Sequence, residues 1–106
     1  MPTKVYKALA DPTRRKILQL LREQNMTAGD LADHFTSAKP TLSRHFAVLR
    51  EADLIQGDKQ ANTIIYRLNL SVLEEALLGM METFKIEQRG NNDEQQPNQP
   101  EANGTD

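Results

Sequence analysis

The chain of 106 residues contains no cysteine and no tryptophan, and two Tyr and three Phe are its only aromatic residues. The absence of cysteine excludes disulfides, thiolate metal sites and thiol redox switches. No run of about 18 apolar residues occurs, so no segment is predicted to span a membrane. The N-terminal residues also lack the apolar core of a signal peptide. We therefore expect a soluble, cytoplasmic protein.

The sequence also lacks the common motifs of catalysis. It has no nucleophile–base string, no Gly-rich phosphate loop and no pair of carboxylates at motif spacing. We therefore expect neither catalytic residues nor a cofactor, and a protein that is not an enzyme.

The net charge of −2 is unevenly distributed along the chain. Residues 90–106 hold four acidic residues and no Lys or Arg: Asp93, Glu94, Glu101 and Asp106. Residues 1–89 hold all 13 Lys and Arg and the other 11 acidic residues, a net of +2. A local basic face matters more for DNA binding than this total. We predict a single domain over residues 1–89 and a disordered, polar, acidic tail over residues 90–106 that serves solubility rather than DNA mimicry.

The first two helices are predicted from apolar spacing and a capping signal. A short first helix is indicated by Val5, Tyr6 and Leu9. Asp11-Pro12 predicts the start of a second helix, because Asp caps N-termini and Pro fits the first turn. This helix should run to about Gln24, with Asn25 as a left-handed C-cap.

Two further helices follow in the order of a helix-turn-helix. Thr27 and Asp30 resemble a capping box that opens a short third helix ending near Phe35. Ser37 is predicted as the N-cap of a fourth helix over residues 38–52, after a tight turn.

The fourth helix is predicted to be apolar on one side only, with Leu42, Phe46 and Leu49 on that side. The other side carries short hydroxyls and cations, which are the side chains that read base edges and grip phosphates. The candidate DNA-binding residues there are Ser37, Lys39, Pro40, Thr41, Ser43 and Arg44. Each could instead be a solvated surface residue, and Ser37 could serve only as a cap.

Two strands over residues 54–58 and 63–68 predict a β-hairpin wing. Its polar tip is predicted at Lys59-Gln60-Ala61-Asn62, and Lys59, Gln60 and Asn62 are further candidate DNA contacts.

Ser71 and Glu74 form a capping box that predicts a last helix to about Gln88. This helix has too many apolar residues for one buried face, so a second face should pack against another copy of the chain, with help from the first helix. The predicted dimer interface comprises Val5, Tyr6, Leu9, Leu73, Leu77, Met80, Met81 and Phe84.

Three other polar residues have structural interpretations. Arg14 flanks the buried side of the second helix, which favours a packed stem and a partnered guanidinium. His45 lies at the edge of the apolar stripe and is predicted to be half-buried and satisfied rather than a metal ligand or pH sensor. His34 is predicted to be a surface residue.

Several strings, in this order, resemble the ArsR/SmtB family of bacterial winged-helix repressors: ALADPTRRKILQLL, MTAGDLADHF, SAKPTLSRHFAVLREADLI and IIYRL. The resemblance covers residues 4 to about 88. It implies a mostly α, dimeric winged helix-turn-helix with a small β-hairpin (α-α-α-α-β-β-α). It also implies a homodimeric repressor, or autorepressor, that binds an inverted repeat in double-stranded operator DNA.

The family's metal sensors use a thiolate pair near the third helix or His and acidic ligands on the last helix. This chain has no cysteine and no histidine between Ser71 and Asp106, so we predict no metal site and membership of the metal-independent branch. The wing departs from the family pattern of an Arg and a Gly near the tip, because Gly57 comes earlier here. That departure and the low net charge leave a winged-helix protein-interaction module as the alternative function. The inducing signal is left open between a small molecule, a partner protein and the protein's own concentration.

Overall fold

The computed structural model describes residues 3–87, so the predicted acidic tail at 90–106 lies outside the described residues. Along the chain the elements are α1 (Thr3–Leu9), α2 (Pro12–Glu23), β1 (Met26–Thr27), α3 (Ala28–Ala32), α4 (Lys39–Glu51), β2 (Ile55–Gln60), β3 (Thr63–Leu68) and α5 (Leu70–Thr83). The predicted order of five helices and a hairpin is confirmed. The short strand β1 is an addition that the sequence analysis missed.

Two of the predicted helix caps are confirmed. The Asp11 carboxylate accepts hydrogen bonds from the backbone N–H groups of Thr13 (2.8 Å) and Arg14 (3.1 Å) at the start of α2. The Thr27 hydroxyl accepts from the N–H of Asp30 (3.0 Å) at the start of α3. Each bond satisfies a backbone donor that has no partner within its helix.

Two other predicted caps are wrong. Ala38, not Ser37, is the N-cap of α4, and no side chain caps that end. Ser71 lies inside α5, whose N-cap is Asn69, again without a side-chain bond. The Asn69 amide instead donates to the carbonyl of Asp53 (2.8 Å), which ties the start of α5 to the loop after α4. A tertiary contact therefore helps to decide where α5 begins.

The predicted left-handed cap at Asn25 is also wrong, because α2 ends at Glu23, its C-cap Gln24 has extended backbone and the left-handed residues lie elsewhere. One of them is Asp53, with φ 59°, immediately after α4. The N–H of Leu54 donates to the carbonyl of Leu49 (3.0 Å), which is the long bond of a Schellman motif. The chain thereby turns sharply from α4 into β2.

A second Schellman motif ends α5 at Thr83, short of the predicted Gln88. Lys85 has φ 57°, and the N–H of Ile86 donates to the carbonyl of Met81 (2.8 Å). Glycine is the usual residue at this position, because it carries no Cβ to clash in the left-handed region. Because a lysine stands here instead of glycine, the sequence carries no signal for the end of α5.

The three strands form an antiparallel sheet in the order β1-β3-β2. Met26 pairs with Tyr66 on one side of β3, and Gly57 pairs with Tyr66 on the other. The hairpin turn is narrower than predicted, because Lys59 and Gln60 belong to strand β2. Backbone hydrogen bonding extends β2 further than its side-chain pattern indicates.

The core forms where all five helices meet the inner face of the sheet. Its most deeply buried large side chains are Ile17, Leu31, Leu49 and Leu54. Burying each such side chain contributes about 1.5–3 kcal/mol through removal of apolar area from water. This packing holds α4 by one side and leaves its other side free.

Candidate nucleic-acid interface

Helices α3 and α4 form the helix-turn-helix, and residues 33–38 connect them. This connection is longer than predicted, because α3 ends at Ala32 rather than near Phe35. Its first part continues in tight turns, with the N–H groups of His34 and Phe35 bonded to the carbonyls of Leu31 and Ala32 (both 3.0 Å). Leu31 is fully buried against the core and anchors α3 beside α4.

The structure places the predicted contacts of α4 on one exposed surface. Three side chains of α4 are buried and anchor it to the core: Leu42, Phe46 and Leu49. The exposed residues at its N-terminal end are Ser37, Lys39, Pro40, Thr41, Ser43 and Arg44. We call these six residues the α4 polar face. The two sides of α4 thus separate as the period of the helix predicts.

The cations of the α4 polar face have no internal partner. Within residues 3–87, neither Lys39 nor Arg44 makes a hydrogen bond or an ion pair with its side chain. The first turn of α4 contains no acidic residue, and no side chain caps its backbone N–H groups. The positive end of the helix dipole is therefore unopposed and adjoins both cations.

The wing candidates Lys59, Gln60 and Asn62 are all exposed along the far end of the hairpin. Asp58 beside them is paired with Arg67 (3.4 Å) across the two strands. That pairing takes up the nearest acidic charge and leaves Lys59 as the free cation of the hairpin, among the residues that the structure describes.

The wing is fixed to α4 through Tyr66. The Tyr66 ring packs on Phe46 of α4, with ring centroids 5.2 Å apart, and Arg50 of α4 donates to the Tyr66 hydroxyl (2.9 Å). A Cβ added at Gly57 would lie 2.9 Å from both Ile64 and Tyr66. Glycine is required at this place because Tyr66 lies across its surface. The roles of Gly57 and Arg50 were not predicted, because they depend on the register of the hairpin and on its packing against α4.

Arg14 has the partnered guanidinium that the sequence analysis predicted. Its Nε donates to the carbonyl of Ala8 (2.8 Å), its Nη2 to that of Lys7 (3.0 Å), and its Nη1 lies 3.1 Å from Nδ1 of His45. His45 is half-buried with a satisfied ring nitrogen, as predicted, and His34 is exposed. Asp11 lies 3.9 Å from the same His45 nitrogen.

The carboxyl of Asp11 has a perturbed pKa. Burial alone would raise it, but the N–H of Arg14, the adjacent His45, the N–H of Thr13 and the guanidinium of Arg14 together outweigh burial. The pKa of Asp11 therefore lies below its usual value.

The predicted dimer residues divide into an exposed and a covered group. Leu77 is 46% and Phe84 66% exposed, and Met81 is partly exposed on the same side of α5. The partly covered members are Tyr6, Leu9, Leu73 and Met80. Val5 is only 5% exposed within the single chain, so it belongs to the core and offers almost no surface to a partner. Four further large apolar residues outside the predicted set are exposed among residues 3–87: Ile64, Leu70, Leu78 and Ile86.

None of the described helices is long and apolar enough to cross a lipid bilayer. Over residues 3–87, no group of three or more His, Asp or Glu side chains is placed to hold a metal ion.

The helix-turn-helix, the hairpin packed on its second helix and the polar face of that helix define a winged helix-turn-helix DNA-binding protein. The sequence profile of the bacterial regulatory proteins of the arsR family matches residues 11–56. The transcriptional repressor SdpR of Bacillus subtilis is 43% identical over 89 residues, which cover 84% of this chain and 96% of that protein. The arsenical resistance operon repressor of Escherichia coli is 35% identical over 89 residues, 83% of this chain and 76% of the relative.

The structural comparison agrees. A crystal structure of an ArsR family transcriptional regulator superposes with a TM-score of 0.68 at 28% identity, over 78% of this chain and 94% of that one. The crystal structure of a possible transcriptional regulator for arsenical resistance superposes with a TM-score of 0.67 at 34% identity, over 76% of this chain and 83% of that one. The chain belongs to the ArsR family. It is therefore a DNA-binding transcriptional regulator and not an enzyme, and nothing in these relatives supports the protein-interaction alternative.

Proposed function

We propose that the protein is a homodimeric repressor that occupies an inverted-repeat operator, with one α4 in the major groove of each half-site. The observation that carries this proposal is the α4 polar face, where free cations and hydroxyls lie opposite three buried anchors. A surface of this kind fits a polyanion with hydrogen-bonding edges.

Phosphate contacts fall to the first turn of α4. The uncapped N-terminus presents the backbone N–H groups of Lys39 and Thr41, since Pro40 has none and Leu42 is bonded to Ala38. Free N–H groups and the helix dipole favour a phosphate, and the Lys39 ammonium adds a full charge beside it. The Ser37 hydroxyl adjoins the same end of α4 and donates to the DNA backbone there.

Base reading falls to the residues that point furthest from the core. Arg44 is suited to a guanine edge, because its guanidinium can make two parallel hydrogen bonds. Thr41 and Ser43 can bond to either base type, and the Pro40 ring can contact a thymine methyl. The hairpin lies beside α4 and brings Lys59, Gln60 and Asn62 to the flanking DNA backbone.

Dimerisation is proposed through α5 and α1. The apolar residues Leu77, Met81 and Phe84 follow one another at i, i+4 and i+7, so they form one stripe along α5 and its C-cap that the chain itself covers only in part, at Met81. A second copy would cover it and place two α4 helices in successive major grooves, about 34–36 Å apart. Tyr6, Leu9, Leu73 and Met80 border this stripe.

Selection of bound genomic fragments, followed by footprint titration, tests the proposal. We expect an inverted repeat that is protected by dimers, with or without added divalent metals. Arg44→Ala should weaken operator binding by at least about tenfold, since each bidentate base contact provides about 1–3 kcal/mol of discrimination. The matched control is Arg22→Ala, an exposed arginine of α2. Wild-type operator affinity for folded Arg44→Ala protein would contradict the assignment of α4.

A further inference from the structure

One side chain of α2 ties the end of α1 to the middle of α4. Arg14 donates to the carbonyls of Lys7 and Ala8 in the last turn of α1, and its remaining nitrogen contacts Nδ1 of His45 on α4. An arginine only donates hydrogen bonds, so Nδ1 of His45 has to accept. A ring that accepts this bond is neutral, with its proton on Nε2, whereas the electrostatic effect of His45 on Asp11 belongs to the protonated ring, which cannot accept from Arg14.

The charged groups that contact the His45 ring are Arg14 and Asp11, both from the first turn of α2 and its cap. Asp11 is itself fixed, because its carboxylate accepts two N–H groups of that turn. On α4, the residues one turn away from His45 carry no charge: Thr41, Leu42, Val48 and Leu49. Among residues 3–87, the charged side chains in contact with the ring therefore come from α2 and its N-cap.

The contact of His45 differs in kind from the apolar contacts of α4, and the other directional contact described above, from Arg50 to the Tyr66 hydroxyl, lies at the C-terminal end of the helix. Leu42, Phe46 and Leu49 hold α4 by apolar packing, which is non-directional. A hydrogen bond weakens steeply when donor and acceptor are misaligned. The bond between Arg14 and His45 can therefore set the rotation of α4 about its own axis, which apolar contacts control less strictly.

We propose that His45 is a positioning residue for DNA binding: as a neutral acceptor for Arg14, it sets how α4 presents its polar face relative to α1. This inference rests on the proposed function, in which α4 reads the operator and α1 borders the dimer interface. It makes the Asp11–Arg14–His45 cluster the physical link between dimer geometry and operator reading. His45 itself does not touch DNA.

Two substitutions at His45 separate its hydrogen bond from its bulk. In His45→Asn, Oδ1 occupies the place of Nδ1, because both atoms are bonded to Cγ, and it can accept from Arg14. His45→Leu fills space but cannot accept. We expect His45→Leu to lower operator affinity about tenfold, while His45→Asn stays within about twofold of the wild type. The matched control is His34→Leu, at an exposed histidine outside the α4 polar face, which should leave affinity unchanged.

Two readouts distinguish positioning from a general loss of structure. Affinities are taken per folded dimer, at temperatures where denaturant curves show each variant fully folded, and light scattering should show an unchanged dimer. In an Arg14→Ala background, His45→Leu should lower affinity no further, since the bond is already gone. Long-range ¹⁵N–¹H NMR of the wild type should show His45 protonated on Nε2 and not on Nδ1.

Three results would overturn the inference: wild-type operator affinity for His45→Leu, equal losses for folded His45→Asn and His45→Leu, or a proton on Nδ1. The failure of the proposed function has a different signature. If Arg44→Ala binds the operator normally, α4 does not read DNA at all. If Arg44→Ala is impaired and His45→Leu is not, only the positioning role fails.

Discussion

Helices α4 and α5 are similar in length but present opposite surfaces to solvent. α4 buries Leu42, Phe46 and Leu49 and exposes hydroxyls and cations. α5 buries only Ala76 fully and exposes Leu77 and Phe84, among other apolar side chains. A polar surface is stable in water with or without its partner, whereas a bare apolar stripe lowers its free energy only when another surface covers it. The first surface suits transient binding to DNA, and the second suits a lasting contact between subunits.

The largest effect should come from placing a charge on the apolar stripe of α5. Leu77→Glu should convert the proposed dimer to monomers, because a buried, unpaired carboxylate costs far more than the packing it replaces. Operator affinity should collapse with it, since a monomer covers only one half-site. Light scattering and footprint titration would measure the two losses.

Leu78→Glu is the matched control for that change. Leu78 is 50% exposed, close to the 46% of Leu77, but lies about 100° further round the helix. Intact dimers are expected for Leu78→Glu. Dimers that survive Leu77→Glu would place the interface elsewhere and break the contrast between the two helices.

The buried side of α4 can be tested through the hairpin that packs on it. Gly57→Ala should destabilise the fold by about 1–3 kcal/mol, because its Cβ would overlap Tyr66, which is buried and packed on Phe46. Gly29→Ala in α3 is the control, since its Cβ meets nothing closer than 3.9 Å. Urea denaturation would compare the two, and equal stabilities would mean that Tyr66 does not need the space above Gly57.

The cap that starts α2 should have a moderate and pH-dependent effect. Asp11→Ala should lower the free energy of unfolding by about 1 kcal/mol, through loss of the cap. The pKa of Asp11 is below its usual 3.8 in the folded protein. Ionised Asp11 therefore stabilises the fold above its unfolded pKa, and this contribution is lost as the pH falls through the folded value.

Asp11→Asn keeps a capping oxygen but has no titrating charge. It therefore isolates the contribution of the ionised carboxylate to the free energy of unfolding. The stability difference between wild type and Asp11→Asn should narrow as the pH drops below about 4. A difference that is constant with pH would mean that the charge of Asp11 contributes nothing.

The smallest effect is expected at the wing. Lys59→Ala should weaken binding similarly on all DNA sequences and lower the slope of log affinity against log salt by about one per protomer. Lys4→Ala, on the exposed start of α1, should leave the slope unchanged. An unchanged slope for Lys59→Ala would mean that the hairpin does not contact DNA. The DNA-binding surface would then be confined to α4.

The parts of the fold that were predictable are those that repeat along the chain. The spacing of Leu42, Phe46 and Leu49 predicted both the helix and its buried side, and the polar face followed from the same period. The caps at Asp11 and Thr27 were readable because each side chain bonds only to its own first turn. Strand β1 was not predictable, because a strand of two residues is too short to show the alternation of side chains that marks a strand.

The errors fall where distant contacts compete with local signals. Ser71 has the neighbours of a capping residue, but the contact of Asn69 with Asp53 fixes α5 at an earlier residue. Lys85 and Asp53 occupy left-handed positions that the sequence would give to glycine or asparagine. The hydrogen bonds of the two Schellman motifs hold them there, at a cost of about 1–2 kcal/mol each.

By itself, the sequence determined the order of the elements, the two sides of α4 and the polar residues that α4 exposes. Only the tertiary structure decided that Val5 belongs to the core, that Gly57 faces Tyr66 and that Arg14 meets His45. The physical reason is the separation in sequence between the residues that interact. Helix periodicity and local caps arise between residues within a few positions of each other, whereas burial and these contacts depend on elements far apart in the chain. The rotation and register of those elements are set by the packing of the whole core.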